Sequence, residues 1–428
     1  MELMRDSFIR QYLSYVGETE APIFYHRWAA ISMVGAYLGR QYSFSLGHFE
    51  LYTNMYIMLI GEPGTRKSTA IKIAKKIITA AGFDKISGDK TSKEKFMLDL
   101  AGIEDGSLDS GNNKGFKGKS LEALLDENLG FNTEELGDDC EMYIACDEFN
   151  DFIGIGNLEF ISLLGNLWDY NGVFKNRIKT GKSVSILNTT VSILGGNTST
   201  SFANAFPPDT LGQGFFSRLL LIYGEETGKK ITFPIMPSAE ATNKIVSALQ
   251  RIKMVVKGQA EIDPDAKALL EKIYTSGKKM DDVRFASYAN RRFTHLLKLC
   301  LIISACDYSN KIEHAHVIEA NTILTHTESL MPKALGQFGR ARNSDVTHKI
   351  MSILGNATHA MSLKELWAYC ISDMDKVDDL ANQLRNLMTA DMIFVVDGKY
   401  LAKAKRAAEV DSDTVDYNYL TDEERNMS

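Results

Sequence analysis

The five cysteines (Cys140, Cys146, Cys300, Cys306 and Cys370) form no CxxC pair. That spacing excludes a zinc ribbon or a disulfide scaffold and leaves reduced core thiols. No run approaches the roughly 20 apolar residues of a membrane span. The opening Met-Glu-Leu-Met-Arg-Asp-Ser has no basic region followed by an apolar one. The expectation is a cytoplasmic protein with no membrane partner. Positive charge is not in surplus either: the formal net charge is −7, which argues against a chain coated in nucleic-acid-binding surface. A local basic channel stays open, because much of the deficit sits in one tail. There Glu409, Asp411, Asp413, Asp416, Asp422, Glu423 and Glu424 stand against Arg425 alone. With 428 residues, the chain is long enough for two or three domains with cores of their own.

What is present centres on residues 55–81. Met-Tyr-Ile-Met-Leu-Ile is apolar on both alternating faces, as in a strand covered on each side by helices. Gly61-Glu62-Pro63-Gly64-Thr65-Arg66-Lys67-Ser68 follows, then a helical pattern from Thr69 to Ala81 that Gly82 stops. This is the form of a phosphate-binding loop. Backbone N–H groups of residues 63–68, Pro63 excepted, surround a β-phosphate, Lys67 reaches the β/γ oxygens and Ser68 holds Mg²⁺. The strict pattern has glycine before the lysine, where this chain has Arg66; taken alone, the stretch also reads as a Gly/Pro-rich strand-to-helix turn.

A second apolar run, 142–146, ends in Asp147-Glu148. Adjacent acids at a strand tip suit Mg²⁺-dependent phosphoryl chemistry, with Asp147 orienting the metal's water shell and Glu148 polarising the attacking water; they also suit an ordinary helix N-terminus. Residues 174–187 read as a hairpin about Lys179-Thr180-Gly181-Lys182, with Lys175 and Arg177 on one arm. Its basic tip is a nucleic-acid contact or merely an edge blunted by lysines. A third run, 190–194, leads through Gly195-Gly196 to Asn197, an amide that could aim the attacking water. A fourth, 219–223, is preceded by Arg218, either a surface charge or a finger acting on a neighbour.

Around these lie a helix over 24–38 that is apolar nearly all round, strand-like pieces at 41–46 and 49–52, and a Gly/Asn/Ser/Lys-rich stretch at 104–119. The last, with Lys114, Lys117 and Lys119, reads as a mobile, solvated insertion. Toward the end come helical patterns at 345–354, 363–371 (capped by Ser362) and 377–389, then a hairpin over 394–401 signalled by Asp397-Gly398. Three helices and a hairpin make a winged-helix arrangement. Asp373, Asp375, Asp378 and Asp379 flank its reading helix and repel phosphate, which favours protein contact over DNA reading. The tail after Ala408 reads as disordered.

Taken in order, the phosphate loop, Cys146-Asp147-Glu148-Phe149, the Lys179-Thr180-Gly181 hairpin, the strand-tip Asn197 and Phe216-Ser217-Arg218-Leu219 resemble AAA+ ATPases. Within them the succession is most similar to the minichromosome maintenance replicative helicases, in the reduced form of phage and plasmid replication proteins. Residues 289–300 resemble that family's second-sensor helix, with Arg291 as the match and Arg292 as the fallback. The zinc-binding and oligonucleotide-binding modules of cellular members have no counterpart.

The resemblance implies an α/β fold: an AAA+ P-loop core at 51–235 behind a helical segment at 1–50, a helical lid at 236–340, a winged helix at 341–405 and the acidic tail at 406–428. It implies ATP and Mg²⁺ as cofactors and a homo-oligomeric ring, expected to be a hexamer. One subunit supplies the loop (Gly61, Pro63, Gly64, Thr65, Arg66, Lys67, Ser68, Thr69) with Asp147, Glu148 and Asn197; its neighbour supplies Arg218, and by the same resemblance Arg291. Lys179 and Lys182 then hold single-stranded or forked DNA in a helicase or translocase of replication, with primase, polymerase or single-strand-binding protein as further partners. Two other classes stay open: a loader or remodeller of replication proteins, and a DNA-binding regulator whose ATPase sets its oligomeric state.

Overall fold

The computed structural model describes residues 7–102, 140–168, 171–176, 184–206, 214–277, 280, 282–336, 413–427 and, with short gaps, 350–402. Two compact units emerge, Met1–Gly336 with Ser412–Ser428, and Gln337–Asp411.

The first unit begins with helices α1 (Phe8–Tyr15) and α2 (Ile23–Leu38), then the antiparallel strands β1 (Tyr42–Leu46) and β2 (Phe49–Tyr52). Every residue of α2 after Ile23 is buried, which is what a helix without a polar face requires. The central strand β3 (Tyr56–Ile60) leads into α3 (Lys67–Ala80) and α4 (Lys93–Leu100). Next come β4 (Glu141–Cys146), the short helix α5 (Phe149–Ile153), α6 (Leu158–Leu167), the hairpin strands β5 (Val173–Asn176) and β6 (Val184–Leu187), β7 (Thr190–Asn197), α7 (Ser199–Ala205) and β8 (Leu219–Tyr223). Helices α8 (Ala239–Val255), α9 (Pro264–Ser276), α10 (Ala286–Ala289), α11 (Arg292–Cys306) and α12 (His314–Leu335) complete this unit, interspersed with β9 (Gly258–Gln259), β10 (Glu261–Ile262) and β11 (Lys311–Ile312). The helices of the expected lid belong to the same compact unit as the sheet.

The core is a four-stranded sheet in the order β4-β7-β3-β8, parallel throughout. Ile86 adds a parallel bridge to Tyr143 on β4. All positions of β3 and β7 are buried, as in a sheet covered on both faces. The covering helices can be assigned from two neighbouring glycines. A side chain on Gly195 would run into Met58 and Phe149 of α5, whereas one on Gly196 would meet Ile71 of α3 and the Asp147 carbonyl. Consecutive residues of a strand point to opposite faces, so α3 and α5 lie on opposite sides. The fold is mixed α/β, a parallel sheet flanked by helices.

The acidic tail departs from its sequence expectation. Residues 413–427 are ordered against α2 and α12, with a turn at Tyr417–Tyr419 and a helix at Asp422–Arg425. The Arg27 guanidinium of α2 donates to Glu424 Oε1 at 2.5 Å, to Glu424 Oε2 at 2.7 Å and to the Tyr419 carbonyl at 3.1 Å. Glu423 accepts from the Ile23 N–H and from Lys229, and Asn321 of α12 donates to the Thr414 carbonyl. Negative charge suggested disorder only while its cationic partners went unseen.

The second unit has helices Leu363–Cys370 and Val377–Thr389 and a hairpin of Ile393–Val396 with Lys399–Ala402. They enclose a core of their own that includes Ile350, Leu366, Leu380, Leu384 and Ile393. The 104–119 insertion and the hairpin turn with Lys179 and Lys182 lie outside the described residues. None of the five cysteines is joined in a disulfide. Among the described residues no helix is long and apolar enough to cross a membrane.

Candidate functional site

Strand register sets the site. Ile60 pairs with Asn197 on one side and Tyr223 on the other, and Cys146 pairs with Gly195. Gly61, Asp147 and Thr198 therefore leave the sheet side by side at its carboxyl edge, where a parallel α/β sheet opens into a crevice. The β3–α3 connection crosses to β4 while β7 fills the gap between them, so Asn197 stands between the loop and the acids.

The loop itself turns through Gly64 at φ +97° and Arg66 at φ +61°. The second value explains why glycine is usual before the lysine: that residue must enter the left-handed region. Arg66 tolerates it while its side chain leans out to Glu20 of the same chain, with Nη2 at 2.6 Å from Oε2. Glu20 also accepts from the Ile231 N–H at 2.7 Å. That backbone bond, followed by Arg66, holds its carboxyl below the usual range. The Arg66 side chain thus turns toward its own amino-terminal segment.

Lys67 is buried, and its Nζ donates to the carbonyls of Gly61 (2.8 Å) and Glu62 (3.0 Å) and to Thr65 Oγ1 (3.1 Å). Burial pushes its pKa down, opposed by the charges of Glu148 and Glu62. The Thr69 N–H bonds to the Arg66 carbonyl at 3.0 Å; the other early amides of α3 and its dipole end suit an anion, which the Lys67 ammonium reaches by giving up its loop acceptors. Ser68 and Thr69 occupy the first turn of α3, half-exposed; Pro63 and Gly64 form the exposed rim. The Glu226 carboxylate lies against Gly64. Tyr25 of α2 anchors the loop's root, donating to the carbonyls of Ile60 (2.7 Å) and Gly224 (3.1 Å).

Asp147 is half-exposed and pairs at 2.7 Å with Lys72, two turns into α3; that hydrogen bond raises the Lys72 pKa. Glu148, exposed, is the N-cap residue of α5. Asn197 is fully buried. Its amide donates to Asn150 Oδ1 at 2.7 Å, and its Oδ1 accepts from the Thr198 N–H at 3.0 Å. Asn150 in turn donates to the Ser201 carbonyl. Lys72 and Asn150 are the additions to the residues expected here. Lys72 was hidden among the exposed lysines of a polar helix face, and Asn150 among the residues of a helix start.

The two arginines lie elsewhere. β8 opens at Leu219 opposite Tyr56, so Arg218, one residue earlier, stands at the amino edge, about 20 Å along the strands from Gly61. There its guanidinium lies 5.5 Å from the Trp168 ring, and that of Arg291 lies 5.8 Å from the same ring. The buried Lys298 Nζ is 4.7 Å from it and donates to Asn54 Oδ1 and the Tyr52 carbonyl. Arg292 turns inward, with Nε 2.7 Å from Glu328 Oε1 and Nη2 donating to Asn321 and Thr325. Of the two candidates on this helix, Arg291 keeps company with Arg218. The structure therefore brings Lys67, Ser68, Asp147, Glu148 and Asn197 together at one edge of the sheet, and Arg218 with Arg291 at the other. No protein-family model and no curated protein matches the chain.

Proposed function

We propose that this chain is an ATP-driven motor on single-stranded DNA, built as a homo-oligomeric ring with the nucleotide at subunit interfaces. The observation that carries the proposal is the division just described. The groups suited to bind and cleave a phosphoanhydride converge at the carboxyl edge, while two arginines gather at the opposite edge, out of reach of their own loop. Stacked head to tail, such subunits would present the arginines of one to the loop of the next.

The residues fit a nucleoside triphosphate with Mg²⁺. The loop amides and Lys67 cradle the phosphates, and Ser68 and Asp147 are hard oxygen ligands. Mg²⁺, when bound, neutralises charge on the β/γ oxygens. Glu148 accepts the proton of the attacking water. Asn197 and Asn150 brace the backbone between loop and acids, and Lys72 must release Asp147 to the cation. Arg218 and Arg291 of the neighbour stabilise the charge that develops on the transferred group, an effect that reaches about 10³-fold or more.

Lys179 and Lys182 fall in the stretch of sequence between β5 and β6, and sequence-independent contact with phosphates suits a translocating strand. In the second unit, two helices and a hairpin support the winged-helix reading. The test is a forked-DNA unwinding assay with ATP, alongside light scattering with and without nucleotide. Lys179→Ala is expected to bind nucleotide and lose unwinding. Undiminished strand separation by that variant would refute the coupling.

A further inference from the structure

We propose that the cleft between the β1–β2 turn and the root of the β5–β6 hairpin receives a single unpaired nucleobase. The proposal rests on the reading of the chain as a motor on single-stranded DNA and names a contact beyond the hairpin's lysines. The cleft is open to solvent, holds about 410 Å³, and lies away from the phosphate loop.

Its floor is a braced polar network. The Arg40 guanidinium stacks on the Tyr52 ring at 3.8 Å and donates to the Tyr52 hydroxyl and to Asn171 Oδ1, both at 2.6 Å. The Tyr52 hydroxyl donates to Glu50 Oε2 at 3.0 Å, and Ser43 donates to Glu50 Oε1 at 2.8 Å. A cation and an anion joined through one tyrosine leave the floor near neutrality. That disfavours a phosphate as the primary ligand and favours a polar, uncharged one. The amide side chains of Asn171, Asn188 and Gln259, which match the donor and acceptor edges of a base, line the rest together with Ser45, Gly47 and His48.

The wall is aromatic. Phe49 is 71% exposed at the tight turn that joins β1 to β2, where Leu46 pairs with Phe49 across Gly47 and His48. A large ring held in water on the rim of an amide-lined cleft is the arrangement on which unpaired bases stack.

The hairpin supplies the link to a strand. Asn188, at φ +43°, accepts from the Gly172 N–H through Oδ1 at 2.9 Å, and its own N–H donates to the Gly172 carbonyl at 2.9 Å. This closes the root of β5–β6 on the cleft's border. A strand whose phosphates rest on the hairpin thus has a place beside the root to seat one base.

The experiment is fluorescence anisotropy in the presence of a nonhydrolysable ATP analogue. It compares a labelled oligothymidylate with an abasic strand of the same length, and adds free thymidine as competitor. Phe49→Ala is expected to weaken the base-bearing strand about 10-fold and leave the abasic strand unchanged; Phe49→Trp restores binding. DNA-independent ATP hydrolysis stays at the wild-type rate in both variants, which shows that they fold. Competition by free thymidine assigns the site to the base alone, and its absence with Phe49→Ala still selective assigns it to a base delivered by the strand. Equal wild-type affinity for the two strands, or no effect of Phe49→Ala on either, overturns the proposal. If Lys179→Ala weakens both strands while Phe49→Ala changes neither, the base site is lost and the motor reading survives. If the wild type binds neither strand, both are lost.

Discussion

Replacing Glu424 by Gln tests the ordered tail and the helix on which it docks. Arg27 and Glu424 are 3% and 0% exposed, and their two short contacts form a fork across 397 positions of sequence. Burial alone would raise the Glu424 pKa, but the Arg27 guanidinium outweighs it and keeps the carboxyl ionised. Glutamine retains the shape and removes the charge, leaving the guanidinium with the Tyr419 carbonyl and with Glu319 at 3.9 Å. Breaking a buried pair by removing one partner costs about 3–5 kcal/mol. Glu319, still in place, should hold the loss near the lower end, about 3 kcal/mol, or about 1 M in urea midpoint for an m-value near 3 kcal/mol/M. Trp28 and Trp168 report the first unit, so the assay is urea unfolding followed by fluorescence in a Trp367→Phe background. The double variant Arg27→Met with Glu424→Leu should recover most of the loss, since an apolar pair of similar volume replaces a buried ion pair at little cost. A loss below about 1 kcal/mol in Glu424→Gln, or a double variant as unstable as the two single losses added, would refute the reasoning.

Two further outcomes follow from charge and backbone geometry. Burial pushes the Glu319 carboxyl up to about 7, against the pull of Arg27. Its folded-state pKa thus exceeds its unfolded one, and its stabilising effect is full below about 4.5 and lost as pH rises through 7. Glu319→Gln should therefore flatten the fall of stability between those values; an unchanged slope in thermal melts across pH would contradict this. Arg66→Gly should relieve the left-handed backbone and lose only an exposed ion pair, leaving the melting temperature near wild type. Arg66→Val, β-branched at positive φ, should lower it distinctly, and equal losses in the two variants would remove the backbone explanation.

Much of this site was legible because its signals are local. A strand buried on both faces is an apolar run, as at Ile57–Ile60, and a helix without a polar face is a core helix, as α2 proved. The loop and the two acids follow their strands directly, so their convergence needed only a parallel sheet. Strand order was not legible: nothing in the 190–197 run states that it lies between β3 and β4, and only the glycines at 195 and 196, where Asp147 and Phe149 press close, hint at it. The tail misled for a related reason. Its charge pattern was plain, but Arg27, which neutralises Glu424, stands near the other end of the chain. Arg218 and Arg291, far apart in sequence, both stack on Trp168, whose position on a helix end gave no sign of such company.

The proposal that neighbouring subunits share one reaction site is tested most directly by mixing two variants expected to be inactive. Lys67→Ala keeps its arginines and loses its loop; Arg218→Ala keeps its loop and loses its finger. Each alone should hydrolyse almost no ATP. In a random equal mixture about a quarter of the interfaces join an intact loop to an intact finger, so turnover should reappear at about that fraction of wild type. A mixture no more active than its parts, or an Arg218→Ala variant fully active alone, would contradict the account.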